Sequence, residues 1–324
     1  PLELLIHPHY AKVKVINLHN IHSAEGYFPI WTLPFLSRKA RLFWTLHDAW
    51  AVHGKSPFYY KDSDKDTDEE VSLQDYPAMG KDRRRLMKWI KKQVYKLSKI
   101  ELIVPSKALL KHVKASGYFP EKTKFHHVPN GIKPERFSEI EKSEAKRRLG
   151  LPNDKTVIYM QAGWVADPKK GILGALESFQ LEKPEDYFLV ITGNGAKNLE
   201  ELLPKDLGGY KLEGYVDNKQ IPDYFAAADL YLFPSWFENF STTLLEAAAA
   251  KTPAICFDIG GNSEIVLPEK TGEIVAERDY KAFWDAVVAA KSKQYKEKNF
   301  EEVSKKYTIE NCIAKYIEIF DEAN

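Results

Sequence analysis

Phe237-Glu238-Asn239-Phe240-Ser241-Thr242-Thr243-Leu244-Leu245-Glu246 places two carboxylates eight residues apart, at the junction of two hydrophobic patterns. Before it, Ala228-Asp229-Leu230-Tyr231-Leu232-Phe233 is a short apolar run closed by Pro234-Ser235, which reads as a buried strand. After it, Leu244, Leu245 and alanines 247–250 are strong helix formers. Glu238 therefore falls on a loop leaving a strand, and Glu246 on the helix that follows. Ser241 or Thr242 can cap that helix, whose first turn offers backbone N–H groups without intrahelical partners. A strand, a loop and an open helix N-terminus form an anion site. Flanked by two carboxylates, such a site suits a nucleotide sugar: the diphosphate on the N–H groups, ribose hydroxyls on one carboxylate and the sugar against the other.

Working outward, the rest of the chain repeats the strand-then-polar-turn theme. Thr156-Val157-Ile158-Tyr159-Met160 predicts a strand, followed by Ala162-Gly163-Trp164 and a loop reaching Lys169-Lys170-Gly171. Tyr187-Phe188-Leu189-Val190-Ile191-Thr192 ends in Gly193-Asn194-Gly195, where glycines let backbone approach a ligand closely. Further strands are predicted at Leu212-Glu213-Gly214-Tyr215-Val216, at 253–257 and at 271–275, with amphipathic helices near 279–295 and 309–321.

The N-terminal part is organised similarly. A strand at 13–18 is followed by His19-Asn20-Ile21-His22, and a helix over 29–38 leads to a strand at 41–46 ending in His47-Asp48-Ala49-Trp50. Polar groups at the carboxyl ends of parallel strands sit where open α/β sheets bind ligands. His19, Asn20 and His22 are therefore candidates to touch acceptor or donor, the alternative being caps of the next helix. Residues 81–97 predict a basic amphipathic helix whose apolar stripe is Leu86, Ile90, Val94 and Leu97. It can cover a sheet with its apolar side, or rest its basic face on anionic lipid. Asp62-Ser63-Asp64 matches a DxD metal motif, but it stands in a mixed-charge tract with no strand leading into it and reads as a solvated loop.

Composition sets the limits. The 324 residues suffice for two domains, and 44% hydrophobic with 29% charged residues describe an ordinary globular chain. A net charge of +1 gives no global attraction to nucleic acid. The two cysteines, Cys256 and Cys312, show neither CxxC nor zinc spacing and fit a reducing compartment. No run is long enough to span a bilayer.

Glu238 to Glu246, in this strand and helix context, resembles the E-x7-E motif of retaining GT-B glycosyltransferases of the family 4 type. His47-Asp48-Ala49-Trp50 is similar to a segment of the bacterial polysaccharide-biosynthesis members, and Val128-Pro129-Asn130-Gly131-Ile132 is similar to the family's crossing between lobes. Lys133 stands where an Asp is usual, and Trp164 where many relatives have an Arg. The resemblance implies an α/β GT-B fold of two Rossmann-like lobes with parallel sheets. It divides the chain into an N-terminal acceptor-side lobe at 1–131, a nucleotide-sugar lobe at 132–304 and a C-terminal helix at 305–324 that packs back on the N-lobe. The opening strand and Gly-rich loop of that N-lobe are not found before residue 13, so it is expected to be reduced or truncated.

The implied reaction is glycosyl transfer with retention from a nucleotide diphosphate sugar to a saccharide or lipid-linked acceptor. It needs no metal and no cofactor, and the leaving phosphate oxygen is a candidate base. Glu246 would bind ribose, and Glu238 would lie against the donor sugar. Amides near Asn239, Phe240, Ser241 and Thr242 would hold phosphate. Lys170 would face the diphosphate, the Gly163 and Gly193 turns would border the donor, and Tyr215 and Val216 would border the base. His47 would act at the reaction centre. The expected setting is the cytoplasm, at the inner membrane face, in surface polysaccharide or glycolipid synthesis. A non-catalytic nucleotide-sugar binder and a sugar-nucleotide epimerase of the same fold are the alternatives.

Overall fold

A computed structural model describes residues 12–22, 28–59, 71–75, 77–181 and 183–321. The tract 61–70, with its Asp62-Ser63-Asp64 match, lies outside the described residues. The chain forms two compact units, residues 1–129 with 312–324 and residues 130–311.

The first unit holds a parallel sheet of four described strands in the order β1 (Val15–His19), β2 (Arg41–Thr45), β3 (Ile100–Val104) and β4 (Phe125–His127). Both faces are covered, as a parallel sheet requires. Leu42, Trp44, Leu102 and Val104 point into one core with Leu33, Leu109 and Tyr95. Phe43 and Ile103 point the other way, against Ile319, Tyr316 and Phe320 of the helix Ile309–Asp321. The segment expected as one helix at 29–38 is a 3₁₀ turn, Ile30–Thr32, followed by the helix Leu33–Lys39 with Pro34 in its first turn, where its missing N–H costs nothing.

The basic helix runs Arg84–Lys96, and its packing corrects the sequence reading. Of the predicted stripe, Val94 is buried and Ile90 packs half-buried against the same core, while Leu86 and Leu97 are exposed. The inward face instead centres on Lys91, Val94 and Tyr95. A buried lysine is tolerable only if its ammonium is fully engaged. Lys91 donates to the carbonyls of Trp50 and His53, and its Nζ lies 3.4 Å from the centre of the Trp50 ring.

The second unit is a six-stranded parallel sheet in the order β10-β9-β8-β5-β6-β7. Its strands are β5 (Thr156–Trp164), β6 (Tyr187–Asn194), β7 (Tyr210–Glu213), β8 (Leu230–Phe233), β9 (Ala254–Phe257) and β10 (Gly272–Val275). β8 and β9 are buried along their whole length, as expected of central strands in a doubly covered sheet. This is the Rossmann order, in which the chain builds outward from β5 to β7, then returns to lay β8 beside β5. The order reverses between β5 and β8, and in such sheets the ligand crevice lies outside the strand carboxyl ends at that point. Gly163 and Trp164, expected in a loop, are the last residues of β5, which shifts register against β6 between Gln161 and Trp164.

Candidate functional site

The carboxyl ends of β5 and β8 bring together what the opening stretch keeps apart. β8 runs into Pro234–Ser241, and β5 into the 3₁₀ turn Pro168–Lys170. The two loops are stitched by backbone: Trp236 N–H donates to the Lys169 carbonyl at 2.8 Å, and Ser235 Oγ donates to the same carbonyl at 3.3 Å. Their approach demands glycine at 171. With φ +68°, a Cβ there would stand 1.8 Å from the Pro234 carbonyl oxygen.

This stitching places Lys170 Nζ 2.7 Å from Glu238 Oε1, and Ser235 Oγ lies 3.3 Å from the same carboxylate oxygen. Partial burial pulls the Lys170 pKa down, but the charge and hydrogen bond of Glu238 outweigh it and hold the ammonium above its ordinary value. The Lys170 side chain keeps 38% of its exposure, so water screens the pair and its worth to stability is small. Its worth is positional: an ammonium and a carboxylate are fixed side by side at the switch point.

Helix Thr242–Ala249 begins on Ser241, whose hydroxyl accepts from Leu244 N–H at 3.4 Å. Of the two caps the sequence allowed, Ser241 is the one used. Phe240 turns inward, edge-on to Tyr307, and its carbonyl accepts from Asn130 Nδ2 at 3.2 Å. The Asn239 carbonyl accepts from Gly261 N–H at 2.7 Å, while Thr242 is exposed at the helix start.

One turn along that helix, Glu246 faces a cavity of about 380 Å³ lined by Gly163, Gly193, Tyr215, Val216 and Arg136, among others. Desolvation pushes the Glu246 carboxyl up to about 7, against the opposing positive charge of Arg136. Gly163 and Gly193 differ in kind. Gly193, at φ +135°, is required by the fold, since a Cβ would meet the Ala162 carbonyl oxygen at 1.8 Å. Gly163 is not: a Cβ there meets nothing within 4 Å, so the glycine leaves open space in the cavity instead of relieving the backbone. Tyr215 presents its ring to solvent, 75% exposed.

The structure thus gathers Gly163, Gly193, Tyr215, Val216 and Glu246 around one cavity, and Lys170 with Glu238 as a pair on the adjoining loops. Sequence reasoning missed Arg136, which sits in a charged segment that offered no reason to prefer one cation. Its Nη2 donates to the Asn218 carbonyl at 2.8 Å, which anchors it at the cavity wall.

In the first unit, β1 and β2 end beside each other, and His19 Nδ1 lies 2.8 Å from His47 Nε2. The hydrogen bonds behind this pair fix its tautomers. Thr45 Oγ1 donates to Asn17 Oδ1 at 3.1 Å, so the hydroxyl of Tyr316, 3.1 Å away, donates to Thr45. Asn17 Nδ2 then donates to His19 Nε2 at 2.9 Å, which leaves His19 Nδ1 to donate to His47 Nε2. Five side chains, from Tyr316 to His47, form one directed relay.

Desolvation first, and then the neighbouring His19 and His22 against an opposing Asp48, lower the His47 pKa, so the ring is neutral at pH 7. Asp48 accepts from Trp50 N–H at 2.9 Å and lies 3.0 Å from His22 Nε2, whose ring stacks on Trp50 at 4.8 Å. His22 is thereby a buried partner of Asp48, and His19 the group that meets His47. Asn20 is exposed, in left-handed backbone at φ +33°. Asn17 and Tyr316 were not singled out by the sequence.

Among the described residues no group of three or more His, Cys, Asp or Glu could hold a metal ion, and no helix is long and apolar enough to cross a membrane.

Comparison with known proteins adds the following. The model of the family described as glycosyl transferases group 1 matches residues 141–307, just over half of the chain. A lipopolysaccharide core biosynthesis mannosyltransferase of Rhizobium meliloti (strain 1021) is 29% identical over 192 residues, 50% of this chain and 50% of that protein. A phosphatidyl-myo-inositol mannosyltransferase of Mycobacterium leprae (strain TN) is 30% identical over 169 residues, 50% of this chain and 43% of that protein. The match thus spans about half the length of these relatives. A solved structure of Anabaena HepE in complex with UDP-glucose has a TM-score of 0.66 at 16% identity, covering 99% of this chain and 84% of that one. At that identity the likeness concerns the fold, which is that of a GT-B glycosyltransferase.

Proposed function

Because the chain belongs to the family of glycosyl transferases group 1, we propose that it moves a sugar, with retention, from a nucleotide diphosphate sugar to an acceptor hydroxyl. The observation that carries this reading is the half-buried Glu246, one helical turn behind an open N-terminus, facing a glycine-lined cavity at the switch point of a Rossmann sheet. HepE, of like fold, holds UDP-glucose. The names of the two bacterial relatives favour surface polysaccharide or glycolipid synthesis.

In this reading Glu246 accepts from the ribose hydroxyls, with Tyr215 and Val216 beside the base. The N–H groups that open the helix Thr242–Ala249 receive the diphosphate, together with Lys170. No metal is assigned to the donor. As the bond from the anomeric carbon to the β-phosphate oxygen breaks, negative charge grows on that oxygen, and the Lys170 ammonium stabilises it. The Glu238 carboxylate both orients Lys170 and lies against the sugar, where positive charge develops. The new bond forms from the acceptor oxygen to the same face of the anomeric carbon, and the acceptor proton passes to the departing phosphate oxygen. His47, neutral and held by the relay, is the acceptor-side group.

A thermal-shift panel of UDP, GDP and ADP sugars on wild type and Glu246→Ala tests this. One base should stabilise the wild type, by about 2.7 kcal/mol at a hundredfold excess over Kd, and the shift should vanish in the variant. No shift with any of them, from a folded sample, overturns the donor site. A shift with no loss of donor in the presence of any acceptor identifies a binder without turnover.

A further inference from the structure

Tyr280 opens the helix Tyr280–Lys291, directly after Asp279, whose carboxylate accepts from Ala282 N–H at 2.9 Å. The Tyr280 ring packs on Phe257, with 5.3 Å between ring centres, but its hydroxyl reaches further. Trp236 Nε1–H donates to the Tyr280 oxygen at 2.8 Å, and the Tyr280 O–H donates to the Gly171 carbonyl at 3.3 Å. Trp236 stands two residues before Glu238, and Gly171 directly after Lys170. One phenol therefore ties together the two loops that carry the ammonium and the carboxylate. The Arg278 guanidinium, 4.4 Å from the centre of the Trp236 ring, adds a cation–π contact to the indole. Trp284, four residues beyond Tyr280 and so on the same helix face, donates to the Ala175 carbonyl at 3.1 Å, which holds this helix against the helix Ile172–Glu177.

Gly174 points to the same junction. It lies inside the helix Ile172–Glu177, where glycine loses more conformational freedom on folding than alanine would. The backbone does not require it, since its φ is not positive. Tyr280 does: a Cβ at 174 would stand 2.3 Å from the Tyr280 hydroxyl oxygen and 2.6 Å from the ring carbon that bears it. Two hydrogen bonds hold that hydroxyl, so it cannot swing aside without breaking them. Gly171 thus lets the two loops touch, and Gly174 makes room for the phenol that joins them. Packing accounts for the ring of Tyr280, which a phenylalanine would supply equally. It does not account for a hydroxyl bonded on both sides between two loops, or for a helix glycine that leaves it space.

We propose that Tyr280 is a positioning residue of the donor site: its hydroxyl holds the Lys170 and Glu238 loops together, and through Lys170 it sets the grip on the β-phosphate of a nucleoside diphosphate. This rests on the donor reading given above. A partly exposed ion pair does little by itself to fix two flexible side chains. A misplacement of about 1 Å in a group that acts on the substrate can cost about a hundredfold in rate. Tyr280 touches neither nucleotide nor sugar in this account; it acts by keeping Lys170 where the charge is needed.

Two measurements on the full chain test it, with Tyr280→Phe, which removes the hydroxyl alone. The first needs no ligand. Lysines are labelled with limiting acetic anhydride and the adducts located by mass spectrometry. Only the free amine reacts, so Lys170 should acetylate about threefold or more faster in Tyr280→Phe, measured against the exposed Lys298. Gly174→Ala, which drives the phenol off the Gly171 carbonyl, should do the same. The second is calorimetric titration with UDP and UMP, with the GDP and ADP pairs run alongside. Tyr280→Phe should weaken the diphosphate that binds about tenfold and the matching monophosphate less than about twofold, and it should add nothing where Lys170→Met is already present. Unchanged labelling of Lys170 in both variants overturns the proposal. So does an equal loss of monophosphate and diphosphate, or a loss that persists beside Lys170→Met, because either makes Tyr280 a packing residue only. Faster labelling with no nucleotide bound by the wild type keeps the junction and overturns the donor reading, so the two failures are told apart.

Discussion

The sheet of residues 130–311 reverses its strand order between β5 and β8, whereas the four described strands of the other unit run β1 to β4 without a reversal. Both place polar residues at strand carboxyl ends, but by different means. In the second unit the crevice is a product of topology, and what lines it is largely backbone: Gly163, Gly193, the first turn of helix Thr242–Ala249 and the stitched loops that carry Lys170 and Glu238. In the first unit no reversal opens a crevice among the described strands. There the polar cluster is made by side chains, each oriented by the next, from Tyr316 through Thr45, Asn17 and His19 to His47. A backbone site survives most side-chain changes and fails when its space is filled. A relay keeps its space and fails when any member is lost.

Filling the space is the largest effect expected. Gly163 is the last residue but one of β5, with unstrained φ and room for a Cβ. Gly163→Val should leave melting temperature unchanged or raise it, because Val suits a strand better than Gly by up to about 1 kcal/mol. Nucleotide-sugar affinity should fall about ten- to a hundredfold, the cost of overpacking a filled site. Calorimetric titration of the nucleotide found by thermal shift checks it. Unchanged affinity would mean that the cavity beside Glu246 is not the donor site, and the backbone account of this unit would fail with it.

Glu246 sharpens the same contrast through pH. Its carboxyl is raised to about 7 from 4.5, so the folded state holds a proton that the unfolded chain gives up over that interval. Stability from this group is fully present below about pH 4.5 and is lost as pH rises through 7, by at most about 3 kcal/mol. Glu246→Gln removes that loss. In urea titrations the variant should match the wild type near pH 4 and exceed it by about 1–3 kcal/mol at pH 8, while binding nucleotide more weakly at both. Parallel pH profiles would show that burial does not strain this carboxylate, and that the cavity is wetter than its lining suggests.

How much of this was legible follows from the same difference. Strands β5, β8 and β9 announce themselves as continuous apolar runs, and Glu238 and Glu246 as carboxylates on either side of a strand-to-helix turn, because backbone sites are written in local pattern. The pairing of Lys170 with Glu238 depends on two loops 68 residues apart and appears only once Gly171 lets them touch. The orientation of helix Arg84–Lys96 was misread for a similar reason. Its apolar periodicity pointed Leu86 and Leu97 inward, but the carbonyls of Trp50 and His53 and the Trp50 ring give Lys91 a buried berth that no periodicity encodes. His19 and His47 were visible as strand-end histidines. Tyr316, almost three hundred residues beyond Asn17, was not, since nothing local distinguishes it from other tyrosines on an amphipathic helix.

The relay offers the smallest effect and the finest test. His47 is lowered because burial disfavours its cation, and His19 adds to this by its own charge. The hydrogen bond acts in the same sense: with His19 Nδ1–H aimed at His47 Nε2, a proton on that nitrogen would face another N–H. His19→Ala removes both influences, so the His47 pKa should rise toward the ordinary imidazole value in an NMR titration, while Glu246 in the other unit is unaffected. Tyr316→Phe cuts the chain at its far end, leaving Thr45 to choose its own partner, and should cost about 1 kcal/mol of stability with a smaller upward move of His47. If His19→Ala moves His47 but Tyr316→Phe does not, the histidines form a pair and the three groups behind them are scaffold. If neither moves it, burial alone sets the protonation of His47, and the distinction between a unit built by backbone and one built by side chains loses its second half.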